Sequence, residues 1–322
     1  MAVTRGNILT NNAVRDQYVR GVKLLKAEDS GSFTSDFGIP GPSQPVSTYD
    51  LFVIWHHRAM MTLTPPGNPL GRNAAHRGPV FCPWHRVMLM VLERNLQRVL
   101  ADPTFGLPYW DWGTDGNGTR PQQIASAVWG PNCMGGSGSP VGTGPFAFNA
   151  SNPNSWRVKI VGTSTAAVVA TDRGLRRSLG VDIGTLPTTK HVTNALGLAI
   201  FDGSPWSTGS GGFRNRLEGW SADSGARPPW AHNRVHVWIG GDMSPSTSPN
   251  DPVFYLNHCN VDRIWEKWLG SHGRTYVPDQ TAPASLAGHR IDDPIVSPIG
   301  GGNLTPRQVL NVSAIYTYDV LP

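Results

Sequence analysis

The sequence predicts a mainly α-helical domain, and three observations support that class. Several segments place apolar residues at helical spacing. The one clearly β-prone stretch is short and lies at the C-terminal end. Many of the ten histidines fall on the helical segments, in apolar surroundings. Hydrophobic residues make up 39 % of the 322 positions, enough for a sizeable core.

Residues 11–27 carry Val14, Tyr18, Val22 and Leu25 on one face, which predicts a surface helix. Residues 29–46 are rich in Gly, Ser and Pro and read as loop. A second helix runs to Met61, with Ser47 or Thr48 as its N-cap, and Pro65-Pro66-Gly67 ends it. Residues 84–100 are apolar over most of a helical circumference, so this helix should be buried. The region 113–215 is rich in Gly, Ser, Pro and Thr. It reads as a long excursion over the surface with one short helix near 172–179. Two more helices are predicted over 228–239 and 251–269. The tail is loop, ending in the β-prone Val312-Ser-Ala-Ile-Tyr-Thr-Tyr. No repeat or linker divides the chain, so residues 1–322 are read as one domain.

The formal charge is +5 with no run of Lys or Arg, which fits a solvated basic surface and not a nucleic-acid interface. No stretch approaches the roughly 18 apolar residues of a membrane span. The N-terminus lacks an apolar signal segment. The expectation is a soluble cytoplasmic protein, or one exported only with a partner. Cys82, Cys133 and Cys259 cannot make a disulfide framework; they suit a reducing compartment, although one bridge is arithmetically possible.

The chemistry is carried by histidines. His232 and His236 are four apart on a predicted helix, so both imidazoles share one face and can hold one metal. His258, His85 and the His56-His57 pair also lie on apolar helices. A buried histidine needs a polar partner or a metal, and so many in one domain favour a metal. A zinc-protease motif is ruled out, because Asn233, not Glu, follows His232. All-imidazole sites suit copper, zinc, iron or nickel, so the donors alone leave the metal open.

Longer phrases narrow the choice. Phe81-Cys-Pro-Trp-His-Arg, Leu107-Pro-Tyr-Trp-Asp-Trp112, His232-Asn-Arg-Val-His236-Val-Trp-Ile-Gly-Gly and Ser248-Pro-Asn-Asp-Pro-Val-Phe-Tyr-Leu-Asn-His258 stand in that order. The closing Tyr316-Thr-Tyr318 follows them. Together they resemble the type 3 copper proteins: tyrosinases, catechol oxidases, o-aminophenol oxidases and hemocyanins. The resemblance implies an antiparallel four-helix bundle holding a dicopper centre, with long loops and a few short strands. It implies two copper ions with O₂ as co-substrate, held by His56, His76 and His85 and by His232, His236 and His258. The position after Phe-Val-Ile-Trp selects His56 over His57, which then sits beside the ligands or faces the surface. His191, His272 and His289 match no ligand position and are expected in loops, with surface or capping roles.

The implied activity is oxidation of o-diphenols to o-quinones, with monophenol hydroxylation as a further step. An o-aminophenol oxidase is the alternative, and an O₂ carrier is a weaker one. In the family a Glu and an Asn orient a water for the monophenol; they correspond here to Glu218 and Asn233. The spacer between Glu218 and His232 is long, however, and Glu218 could instead pair with Arg214 or Arg216. Ser248, Val237 and Asn257 are expected to line the substrate pocket. Asn257 replaces the first of two consecutive histidines common in relatives. Ala74 stands where some members carry a cysteine cross-linked to a ligand, so no such bond is expected. Asp111 and Asp262 are candidates for support near the site, or for a helix cap or ion pair. The resemblance also implies a phenolic or aminophenolic substrate and a small "caddie" partner for copper delivery, because no lid follows Tyr318.

Overall fold

A computed structural model describes residues 2–163, 167–223, 226–296 and 303–322. In chain order the elements are β1 (Val3–Arg5), α1 (Asn12–Ala27), β2 (Asp29–Phe33), β3 (Pro45–Ser47), α2 (Thr48–Met61) and α3 (Phe81–Leu100). Then come α4 (Trp112–Gly116), α5 (Arg120–Ile124), β4 (Val158–Gly162), β5 (Val168–Arg173), α6 (Thr189–Leu196) and α7 (Phe213–Glu218). The last are α8 (Ala231–Ile239), α9 (Val253–Ser271) and β6 (Tyr316–Tyr318). Among the described residues the fold is a mainly helical bundle with three two-stranded pairings.

Helix α2 starts where Ser47 and Asp50 cap each other. The Ser47 hydroxyl accepts from the Asp50 amide, and the Asp50 carboxylate accepts from the Ser47 amide. Its buried residues include Phe52, Val53, Trp55 and His56. Helix α3 begins three residues earlier than expected, at Phe81. Pro83 is tolerated because an N–H in the first helical turn has no intrahelical acceptor. It ends at Ala101, whose φ of 52° turns the chain out of the helix. Helix α8 starts at Ala231 instead of 228. Pro229 disfavours helical backbone at the residue before it. Helix α3 packs on α1 and α9, and α8 packs on α7 and α9.

The middle of the chain departs from expectation. No helix forms near 172–179: β5 ends at Arg173, and Leu175 and Arg177 pair with the strand-like turn around Gly138 and Val141. The extended path delivers Arg177 into the interior. There its guanidinium donates twice to Asp251 and to the Met134 and Gly135 carbonyls. Nor is 113–215 a surface excursion. Trp129, Met134, Phe146, Trp156 and Leu175 belong to the main core, and the segment holds α5, α6 and the β4–β5 hairpin, with α4 and α7 at its two ends. Gly and Pro broke the periodicity that would have revealed these elements, but not the burial of the aromatics between them.

The chain ends meet. Strand β6 pairs in parallel with β1, which buries Arg5 completely. Arg5 donates to Glu93 at 2.9 Å and to Asp262 at 3.2 Å. Asp262 also takes Arg86 and the hydroxyls of Tyr316 and Tyr318, each at 2.6 Å. Burial pushes the Asp262 carboxyl up, but the Arg86 and Arg5 charges outweigh it and hold it below the usual range.

Candidate metal centre

Four bundle helices and one loop bring six histidines together. Helix α2 carries His56, α3 His85, α8 His232 and His236, and α9 His258. His76 lies in the loop before α3, where the Asn73 side chain accepts from the amides of Ala75 and His76 at 3.1 and 2.7 Å. The histidines form two groups, His56–His76–His85 and His232–His236–His258. Within each group the ring nitrogens on offer lie within 4.8 Å of one another. The groups face each other: the rings of His85 and His258 stack with centroids 4.1 Å apart. His57 stays outside both, with its Nδ1 2.8 Å from the Ser246 hydroxyl.

Backbone carbonyls set the ring orientations. Nδ1 of His56 lies 2.7 Å from Ser246 O, that of His85 2.8 Å from Phe81 O, and that of His236 2.6 Å from Met243 O. A carbonyl only accepts, so each Nδ1 carries the proton and each Nε2 keeps a bare lone pair. Those Nε2 atoms are buried without partners, as are Nδ1 of His76 and His258. Nε2 of His232 and His258 approach to 3.1 Å, close to the spacing of two nitrogens bound to one ion at about 2.0–2.1 Å each. Buried orphan nitrogens are rare and costly. Two ions, each taking three imidazoles, would satisfy the Nε2 atoms of His56, His85 and His236, so the residues fit a dimetal centre. Asp111 and Asp262 do not supply the ring contacts. Asp111 caps α4 and pairs with Arg263, and Asp262 serves the Arg5–Arg86 network. Carbonyls do this work, and any residue type can supply one.

Burial keeps all six imidazoles neutral at pH 7. It lowers His56 to about 3 and His236 to about 4, and holds His76, His85, His232 and His258 well below the usual value. Below the ordinary value near 6.5 the unfolded chain gains protons that the folded chain refuses. Stability from these groups is therefore full above that pH and falls as pH drops toward 4 and 3. Metal-free protein should show a lower Tm at pH 5 than at pH 7.5 in a thermal melt. An unchanged or higher Tm at pH 5 would contradict the assignment of buried neutral rings.

The centre opens to a cleft of about 520 Å³. His56, His76, His232 and His236 form its floor, and Met60, Arg77, Trp220, Asn233, Val237 and Ser248 are among its walls. Val237 and Ser248, expected in the substrate pocket, line this cleft. Asn257 is not: it is fully buried, outside the cleft lining, with neither amide atom hydrogen-bonded. Arg77 and Trp220 were missed in the sequence. The adjacency of Arg77 to His76 was the available signal for the first.

Glu218 is fully buried beneath the cleft. One carboxylate oxygen takes Arg214 Nη1 at 2.9 Å and the other takes the Arg77 amide at 2.7 Å. Its carbonyl oxygen and the Asn233 side-chain oxygen both lie 3.1 Å from His232 Nδ1. Glu218 and Asn233 therefore meet at the His232 ring. Arg214 is shared with Asp202 at 2.7 Å. Burial pushes the Glu218 carboxyl up, opposed by the Arg214 charge and the Arg77 amide. His289, expected in a loop with a surface or capping role, is wholly buried, held by the Thr64 hydroxyl at 2.8 Å. His191, expected in a loop, lies in the first turn of α6 and helps cap it, and His272 follows α9.

Comparisons with known proteins agree with this geometry. Residues 46–271 match the family model described as the common central domain of tyrosinase. The chain is similar to a tyrosinase of Streptomyces antibioticus, at 38 % identity over 84 % of this chain and 89 % of that one. It is similar to grixazone synthase of Streptomyces griseus, at 37 % identity over 77 % of this chain and 83 % of that one. Among solved structures, a polyphenol oxidase of Thermothelomyces thermophila shares the fold. Its TM-score is 0.66 at 21 % identity, covering 98 % of this chain and 88 % of that one.

Proposed function

The chain belongs to the tyrosinase family, and on that premise we propose how its own residues carry out the family's chemistry. It is a copper enzyme that oxidises phenols with O₂. We propose that His56, His76 and His85 hold one copper and that His232, His236 and His258 hold the other. The observation that carries this reading is the pair of converging triads with buried orphan nitrogens, four of whose histidines line one cleft. The bound coppers would carry electrons between phenol and O₂. Two o-diphenols give four electrons and four protons to one O₂, leaving two o-quinones and two waters.

The residues around the metals do the rest. The carbonyls of Ser246, Phe81 and Met243 hold the rings in one tautomer, so three donors need no rearrangement when metal binds. Val237 and Ser248 are small and leave the cleft open to a planar ring. Asn233, on the cleft wall, is our candidate for steering the proton that a monophenol must lose before it can be hydroxylated. Glu218 acts through position: its carboxylate holds the backbone beyond His76 while its carbonyl holds His232. One residue thus braces both triads. Asn257 lies outside the cleft and does not bear on an o-aminophenol substrate. Pro228 and Pro229, in the long spacer, do line the cleft, so 2-aminophenol belongs in the assay.

The test is O₂ consumption by copper-loaded enzyme with catechol, tyrosine and 2-aminophenol in parallel. Catechol oxidation is expected, and no O₂ uptake with any of the three would overturn the reading. Asn233→Ala should lower monophenol kcat roughly tenfold to 100-fold while the o-diphenol falls much less. Equal losses would remove Asn233 from the proton step.

A further inference from the structure

We propose that Arg77 selects phenols bearing a carboxylate, recognising that group at the mouth of the cleft. The proposal rests on the reading of this cleft as the phenol site. Apart from the neutral histidines, Arg77 supplies the only charge among the lining residues described, and no acidic side chain lines the cleft. It follows His76 directly and is exposed. Among the described residues its guanidinium has neither an ion pair nor a hydrogen bond. Its contact is with the Trp220 ring, with Cζ 5.4 Å from the ring centroid.

The arginine is held in place from below. Its backbone has φ of 62°, a left-handed conformation that non-glycine residues seldom adopt. Its amide is anchored to the buried Glu218 carboxylate at 2.7 Å. The side chain therefore leaves a fixed point beside the metal floor and lies along one cleft wall. Elsewhere in this protein guanidiniums such as Arg5, Arg86, Arg177 and Arg214 are paired with carboxylates. A substrate whose ring sits over the histidines and whose side chain reaches outward along Trp220 would bring a carboxylate to the unpaired guanidinium of Arg77. A planar fork of N–H donors suits that anion better than it suits a neutral ester or amide.

The experiment compares dihydrocaffeate with its methyl ester, whose rings are electronically alike because two methylene groups insulate the acid. With copper-loaded wild type at low salt, kcat/KM for the acid should exceed that for the ester about fivefold, as an exposed charge pair allows. The advantage should shrink at high salt. Arg77→Gln should bring the ratio near one, through a raised KM for the acid and not a lowered kcat. Arg77→Glu should push the ratio below one. Copper content of each variant is measured alongside. If both compounds are oxidised by wild type with equal kcat/KM, or if Arg77→Gln leaves the ratio as it was, the inference is overturned while the phenol reading stands. If wild type oxidises neither, the phenol reading itself falls and takes the inference with it.

Discussion

Glu218→Ala is expected to destabilise the protein by about 3 kcal/mol, the lower end for a broken buried ion pair, and to depress oxidation of monophenols and o-diphenols alike. The lower end applies because Arg214 keeps Asp202 as a partner. The losses are twofold. Arg214 loses one of its two buried carboxylates, and the Arg77 amide loses its acceptor. The second loss frees the loop that positions His76. Because the effect passes through metal geometry, it should not distinguish a monophenol from an o-diphenol when neither carries a carboxylate. Glu218→Gln keeps an acceptor for the Arg77 amide and should cost less, about 1–2 kcal/mol. Urea unfolding gives the stability, and parallel phenol and catechol assays give the split. A selective monophenol defect with unchanged stability would instead assign Glu218 directly to the proton step.

His258→Ala is expected to abolish oxidation of every phenol tested. His258 is central: its ring stacks on His85 of the other triad and its Nε2 meets that of His232. Removing it leaves the second triad with two imidazoles and opens a gap between the two groups. Stability of the metal-free protein should fall much less than activity. The deleted ring is buried at 1 % exposure, but its Nδ1 has no partner to lose. Retention of even a tenth of wild-type catechol oxidation would contradict its assignment as a ligand.

Much of the site was legible because it is written in local phrases. His232 and His236 are a helical pair, and His85 and His258 sit in long motifs on buried helices, so spacing and resemblance single them out. What escaped depends on contacts remote in sequence. The carbonyls of Ser246 and Met243 leave no trace in residue type. The Glu218 carboxylate is directed by Arg214 and by Arg77, 141 positions away, and its orientation could not be read from the spacer. Asn257 looked like a pocket residue because it precedes a ligand. On a helix, however, adjacent side chains point about 100° apart, and its own is turned into the core. The same logic separates His57 from His56. In the fold, the capped and strongly periodic helices were legible to within a few residues. The segment 113–215 was not, because its buried aromatics hang from turns, a hairpin and short helices, and not from a period. His289 was misplaced for a like reason: a lone loop histidine carries no sign that Thr64 and Gly78 will close over it.

The central claim is that two triads hold two coppers, and metal analysis tests it most directly. Copper per folded chain is measured after loading and desalting, for wild type, His56→Ala and His258→Ala. The account predicts about two coppers in wild type and about one in each variant, one triad being spoiled in each case. A single copper in wild type, or two retained in either variant, would contradict it.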